Sequence, residues 1–195
     1  MSNLKKVLAT LVVVGVVGVL AAFGTFSAFS STTSNPGNEF KAGTVTLADN
    51  DSGTALYNNQ AAKPGTTVTK CINVTYTGTL DSDVRLYVPE TIGALGPYTD
   101  LTITPGTQTS PSFPSCTGFT ADSGGAIFNG TLSAFATAHS SWSNGLATYP
   151  SGQTKWSTNN NVVYQVTATV DAATPDSAQG ATTNAHSLTW QSQNQ

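Results

Sequence analysis

TTVTKCINVTY, residues 66–76, alternates so regularly that its reading decides the fold. Val68, Ile72, Val74 and Tyr76 fall on one face, and Thr67, Thr69, Cys71, Asn73 and Thr75 on the other. A period of two sends one set toward a core and the other toward water, as in a half-buried strand. Lys63-Pro64-Gly65 gives a turn before it, and Thr77-Gly78-Thr79 with Asp81-Ser82 gives a turn after it. Asp83 to Val88 then alternates again, Val84, Leu86 and Val88 against Arg85 and Tyr87, and the short link predicts that these two strands are neighbours.

The same pattern recurs along the chain. GTVTLA, residues 43–48, sets Val45 and Leu47 against Thr44 and Thr46. Leu101 to Thr104 reads as a short strand, and Pro105 to Thr120, rich in Pro, Ser and Thr, as a loop that contains Cys116. Val162 to Val170 places Val162, Tyr164, Val166, Ala168 and Val170 inward, and His186 to Ser192 sends His186, Leu188 and Trp190 to one side. Only GTLSAFATAH, residues 130–139, changes period. Thr131 is placed to cap it, Leu132 and Phe135 fall three apart, and one short helix is predicted. Short alternating strands between Gly, Pro and Asn turns, with a single helix, predict an all-β antiparallel sandwich. No internal repeat is present.

Composition narrows the function. Of 195 residues 38% are hydrophobic and only 9% charged, against about 25% charged in an ordinary soluble domain. About a quarter of the chain is Ser or Thr, which favours strands and turns over a helical bundle or a charge-solvated tail. The formal charge is −3. Without a basic stripe there is no electrostatic footing for nucleic acid.

The N-terminus reads as an export signal: Lys5 and Lys6, then an apolar run from Val7 to Phe23 broken only by Thr10, Gly15 and Gly18. Thr25 and Ser27 supply small residues for a signal peptidase, so cleavage is expected between Ser27 and Ala28. Two alternatives stay open, an uncleaved membrane anchor and a pilin-type leader that retains its helix. Cleavage after Ser27 leaves five basic residues against ten acidic and a net charge of −5. The organisation expected is a signal peptide over 1–27, an extended N-terminal arm over 28–42 and a sandwich over 43–195, with no stable membrane span after processing. The two cysteines, Cys71 and Cys116, form no CxxC pair, and in an exported chain they predict a disulfide.

Catalytic constellations are missing from the sequence. There is no HExxH and no GxSxG, and His139 and His186 are solitary. No catalytic residue, metal ligand or cofactor is assigned. Asp49-Asn50-Asp51-Ser52-Gly53 begins like a calcium loop, but position 12 is Gln60 rather than an acid, so it reads as an Asx turn. Trp142, Tyr149 and Trp156 punctuate a polar excursion from 142 to 161 and either stack on a sugar or cover one end of the core. Asn73-Val74-Thr75 and Asn129-Gly130-Thr131 are glycosylation sequons.

Four segments, in order, carry a resemblance. The leader running into Gly24-Thr25-Phe26-Ser27-Ala28-Phe29, the strand Asn38-Glu39-Phe40-Lys41-Ala42-Gly43-Thr44-Val45-Thr46-Leu47, the pair Lys63-Pro64-Gly65-Thr66-Thr67-Val68 and Tyr76-Thr77-Gly78-Thr79-Leu80-Asp81, and the close Ala178-Gln179-Gly180 through Leu188-Thr189-Trp190 to Gln195 together resemble the camelysin/TasA family. The cysteine pair and the stretch from Pro105 to Asn161 depart from its pattern.

The resemblance implies a jelly-roll-like sandwich. It also implies export through a SipW-type signal peptidase and a location in the extracellular matrix or at the cell surface. Subunits would polymerise with copies of themselves into biofilm-matrix fibres by donor-strand exchange, with an accessory anchoring subunit as a further partner. The donor strand would be Ala28, Phe29, Ser30, Ser31, Thr32, Thr33 and Ser34, with Phe29 as apolar anchor. An open sheet edge accepts such a segment through main-chain hydrogen bonds. Two other readings stay open: an extracellular adhesive or polysaccharide-binding module, resting on the aromatic excursion, and a casein-cleaving metalloendopeptidase of camelysin type, resting on the family name.

Overall fold

The structure is a computed structural model that describes residues 2–24, 41–58 and 61–194. The chain divides into two compact units, Met1–Lys41 and Ala42–Gln195. In the first, α1 (Ser2–Gly24) forms from the leader, a stretch without proline. Val7, Leu8, Leu11 to Val14 and Val16 are each more than half exposed along it. The expected cleavage point, Ser27 and Ala28, and the whole expected donor strand from Ala28 to Ser34 lie outside the described residues.

The second unit is built from β1 (Leu47–Asp49), β2 (Thr67–Tyr76), β3 (Asp83–Tyr87), β4 (Thr99–Gln108), β5 (Phe119–Ala121), β6 (Phe128–Thr131), α2 (Leu132–Ala138), β7 (Leu146–Thr148), β8 (Asn161–Val170) and β9 (Thr189–Gln193). One sheet has the order β1-β2-β8-β4, with β5 and β6 both on the far side of β4. The other is β7-β3-β9. Every pairing is antiparallel. The chain changes sheets between β2 and β3, β3 and β4, β6 and β7, β7 and β8, and β8 and β9, so strands distant in sequence lie side by side. That is the connectivity of a jelly-roll-like sandwich.

The inward parity predicted for β2, β3 and β8 holds. Ile72, Val74, Tyr76, Val84, Leu86, Val162, Tyr164 and Val166 are buried, joined by Leu101 and Ile103 of β4 and by Leu132 and Phe135 of α2. Thr131 caps α2 as expected, its hydroxyl accepting from the Ala134 amide at 3.2 Å. The outer face of the large sheet carries paired hydroxyls, Thr67 with Thr169 and Thr69 with Thr167, each at 3.0 Å.

Several expectations are corrected. β2 and β3 are not neighbours but belong to opposite sheets. The link between them, too long for a tight hairpin, climbs across the core. Tyr76 holds it from below, its hydroxyl bonded to the Leu80 carbonyl and, at 2.8 Å, to Ser82 Oγ. The strand expected over 43–48 pairs regularly only from Leu47, although the Thr44 and Thr46 carbonyls already accept from the Thr79 and Thr77 amides at 2.9 Å. The loop expected from Pro105 to Thr120 is shorter. β4 continues through Pro105 to Gln108, and Phe119 and Thr120 belong to β5. Gly106 makes this close pairing with β5 feasible, because a Cβ there would sit 2.2 Å from the Thr120 carbonyl oxygen. The polar excursion contains β7, and Trp156 within it is fully buried, with its indole N–H donating to the Thr148 carbonyl at 2.6 Å.

Candidate functional site

The outermost strand of the large sheet, β1, and the outermost strand of the small sheet, β9, lie beside each other at one side of the sandwich. Between them opens a cleft of about 260 Å³ lined by Leu47, Ala48 and Asp49 of β1, Val74 of β2, and Leu188, Thr189 and Trp190. β1 pairs only with β2 and β9 only with β3, so among the described residues the other edge of each strand has no strand partner. Neither edge bears the usual protections. β1 reads LAD and β9 reads TWQSQ, with no Lys, no Pro and one acid between them.

Local chemistry sets the ends of this cleft. β1 stops because Asp49 to Gly53 folds into consecutive Asx turns. Asp49 Oδ1 accepts from the Asp51 amide at 3.2 Å, and Asp51 Oδ1 from the Gly53 amide at 2.6 Å, while Asn50 Oδ1 reaches across to the Asn73 amide at 2.9 Å. These side chains are therefore committed to the turn and to β2. Burial raises the Asp49 carboxyl above its ordinary range, and the neighbouring Asp51 carboxylate adds to this although the Asp51 amide opposes it. On the other side, Trp190 stacks obliquely on Tyr164, with centroids 5.2 Å apart. The Trp190 indole N–H and the Tyr164 hydroxyl are both buried without a hydrogen-bond partner.

The histidines sit apart from this cleft's lining. His186 Nδ1 lies 2.9 Å from the Asn184 carbonyl, and since a carbonyl only accepts, that nitrogen carries a proton. In the neutral ring Nε2 then accepts from the Tyr57 hydroxyl at 2.7 Å, and burial pushes that hydroxyl up to about 12. Nearby, Glu90 accepts from the Ser187 amide at 3.0 Å. Burial pushes the Glu90 carboxyl up, but this bond and the proximity of His186 leave it below its ordinary range. His139 Nδ1 donates to the Asn144 carbonyl at 2.7 Å, and its ring leans on Phe135.

A catalytic zinc site takes three protein ligands around an open position. Among the described residues no three His, Cys, Asp or Glu side chains converge to hold a metal ion. Both cysteines are consumed in the expected disulfide, Cys71 to Cys116, which ties loop 109–118 across the outer face of β2 with Cα atoms 5.1 Å apart. The described residues do not fit a zinc centre. Nor do the three excursion aromatics form one platform. Trp156 is enclosed, Tyr149 is half-buried and donates to Asp83 Oδ1 at 3.2 Å, and Trp142 lies under the Arg85 guanidinium, 5.2 Å from ring centroid to Cζ.

Compared with known proteins, residues 3–92 match the model of the family described as camelysin metallo-endopeptidase. That match covers 90 of the chain's 195 residues. The matched segment runs from the leader through β1, β2 and β3, and it contains one of the two cysteines and no histidine. One wall of the cleft, β1 and Val74, thus lies inside the matched segment, and the other, Leu188 to Trp190, lies outside it. No curated protein matches the chain. The cleft itself escaped sequence reasoning, which placed Leu47 and Trp190 on inward faces but had no means of bringing residues so far apart together. The lack of Lys and Pro on two short strands was the one available signal.

Proposed function

We propose that this protein is an exported structural subunit that polymerises into fibres in the extracellular matrix or at the cell surface. Ala28 to Ser34 of one copy would enter the cleft between β1 and β9 of the next. The observation that carries this reading is the pair of adjacent, unprotected strand edges flanking one cleft. Unpaired edges in this arrangement are costly to leave exposed and are completed by a guest strand.

The dimensions agree. Seven extended residues span about 23 Å, and a five-residue strand such as β9 spans about 17 Å, so the guest covers the full edge with residues to spare. Phe29 would supply the apolar anchor against Leu47 and Trp190. Each subunit both donates and receives, so the contact is heterologous and propagates as a filament. The low charge of the processed chain limits repulsion between packed copies. In this scheme a SipW-type signal peptidase frees the arm after Ser27, and an accessory subunit anchors the fibre. The subunit works without catalytic residues, metal or cofactor.

Negative-stain microscopy of the processed protein, with and without residues 28–38, tests the proposal. Fibres are expected from the intact protein and none from the truncated one. An intact protein that stays monomeric at every salt and pH overturns it.

A further inference from the structure

A second cleft lies at the other side of the small sheet, and its floor holds a polar group that the fold leaves unanswered. The cleft measures about 350 Å³, within the range of small-ligand sites. Its mouth is framed by two glycine turns, 122–125 and 150–153. Each is closed by a backbone bond, Gly125 N–H to the Asp122 carbonyl at 2.9 Å and Gln153 N–H to the Pro150 carbonyl at 3.0 Å. Ile127 and Pro150 give apolar walls, Tyr149 a half-buried ring, and Tyr164 of β8 reaches the base.

Tyr164 is fully buried, yet its hydroxyl has no hydrogen-bond partner. Thr148 and the Trp190 indole lie next to it outside bonding geometry, and the Thr148 hydroxyl already donates to the Val84 carbonyl at 3.2 Å. A buried hydroxyl left unpaired costs on the order of 1–3 kcal/mol. Asp122 lines the same cleft, and among the described residues no salt bridge engages it. Gln153 stands exposed at the mouth.

We propose that this cleft binds a neutral, hydroxyl-rich ligand, a sugar unit of a polysaccharide. The chemistry selects the class. A group that answers both polar side chains must offer an acceptor to the Tyr164 proton and a donor to the Asp122 carboxylate. A hydroxyl does both at once. An ammonium group only donates and leaves the tyrosine proton stranded, whereas a phosphate meets Asp122 with like charge. Ile127, Pro150 and the Tyr149 ring supply the apolar surface against which the C–H face of a sugar ring packs.

The test titrates the exported protein with neutral oligosaccharides built on glucose, galactose and N-acetylglucosamine, read by saturation-transfer NMR. Saturable binding of at least one is expected. Tyr164→Phe and Asp122→Ala should each weaken it about tenfold, the loss of one hydrogen bond, whereas His186→Ala should leave it unchanged. Tyr164→Phe removes only the unpaired hydroxyl, so its thermal midpoint should stay level or rise while affinity falls, a split that a merely structural role does not produce. The proposal is overturned if none of these sugars binds, if binding survives both substitutions, or if glucosamine or glucose phosphate binds more tightly than glucose. Fibre formation by the Tyr164→Phe protein is expected to be intact, which separates this site from the assembly cleft.

Discussion

Trp156 concentrates three roles in one side chain. Its ring is enclosed by the core, its indole N–H donates to the Thr148 carbonyl, and its backbone bridges Ser82 in both directions, at 2.9 and 2.8 Å. Trp156→Phe should therefore lower stability by about 2–3 kcal/mol, the sum of lost volume and an abandoned buried acceptor, seen as a reduced urea midpoint. Asp83 gives a pH-dependent counterpart. The Lys155 ammonium, 2.8 Å away, holds its carboxyl below the ordinary range, with burial opposing and Tyr149 assisting. A depressed carboxyl stabilises the fold above the unfolded-state value, and that contribution is lost as the pH falls through the native value. Unfolding free energies of the wild type and of Asp83→Asn should thus differ at pH 6 by less than about 1 kcal/mol, because solvent still reaches 43% of the Lys155 side chain, and converge under strong acid.

Single elements were legible wherever alternation was long enough. β2 and β8 match their expected spans closely because their inward sets, Ile72-Val74-Tyr76 and Val162-Tyr164-Val166, carry the period without help from neighbours. β4 was truncated at Pro105 because a central strand seldom accommodates a residue without an amide proton. Here the Pro105 carbonyl is used instead, accepting from the Asp122 amide at 3.0 Å. At this scale the disulfide is the strongest restraint on a loop. It closes a separation of 45 residues, which corresponds to about 4 kcal/mol of chain entropy. Replacing both cysteines with alanine should lower the thermal midpoint accordingly and expose loop 109–118 to proteases. Thr131→Ala should cost about 1 kcal/mol through loss of the α2 cap, measurable in the same assay.

At the scale of the molecule, strand partners were far less legible than strands. Pairing β2 with β3 was the natural inference from a six-residue link, and it failed because the Tyr76 hydroxyl anchors that link to a crossing between sheets. The cleft between β1 and β9 depends on residues 47 and 190 meeting, a relation no local period encodes. The unprotected edges it presents lead to a prediction about assembly. Gln193→Lys on β9, on the face opposite Trp190, adds a charge to the unpaired edge and should abolish fibres while shifting stability by no more than about 0.5 kcal/mol. Electron microscopy and thermal unfolding of the same sample would read both.

The position of β8 has a consequence for the order in which the fold closes. It is the middle strand of the large sheet, pairing on one side with β2 and on the other with β4, yet it is nearly the last strand to be synthesised. A chain made only as far as residue 160 has two halves of a sheet with nothing between them, and so cannot close its large sheet. The keystone strand comes eighth of nine, so under the proposed export the sandwich would stay open, and the chain threadable, until β8 had followed.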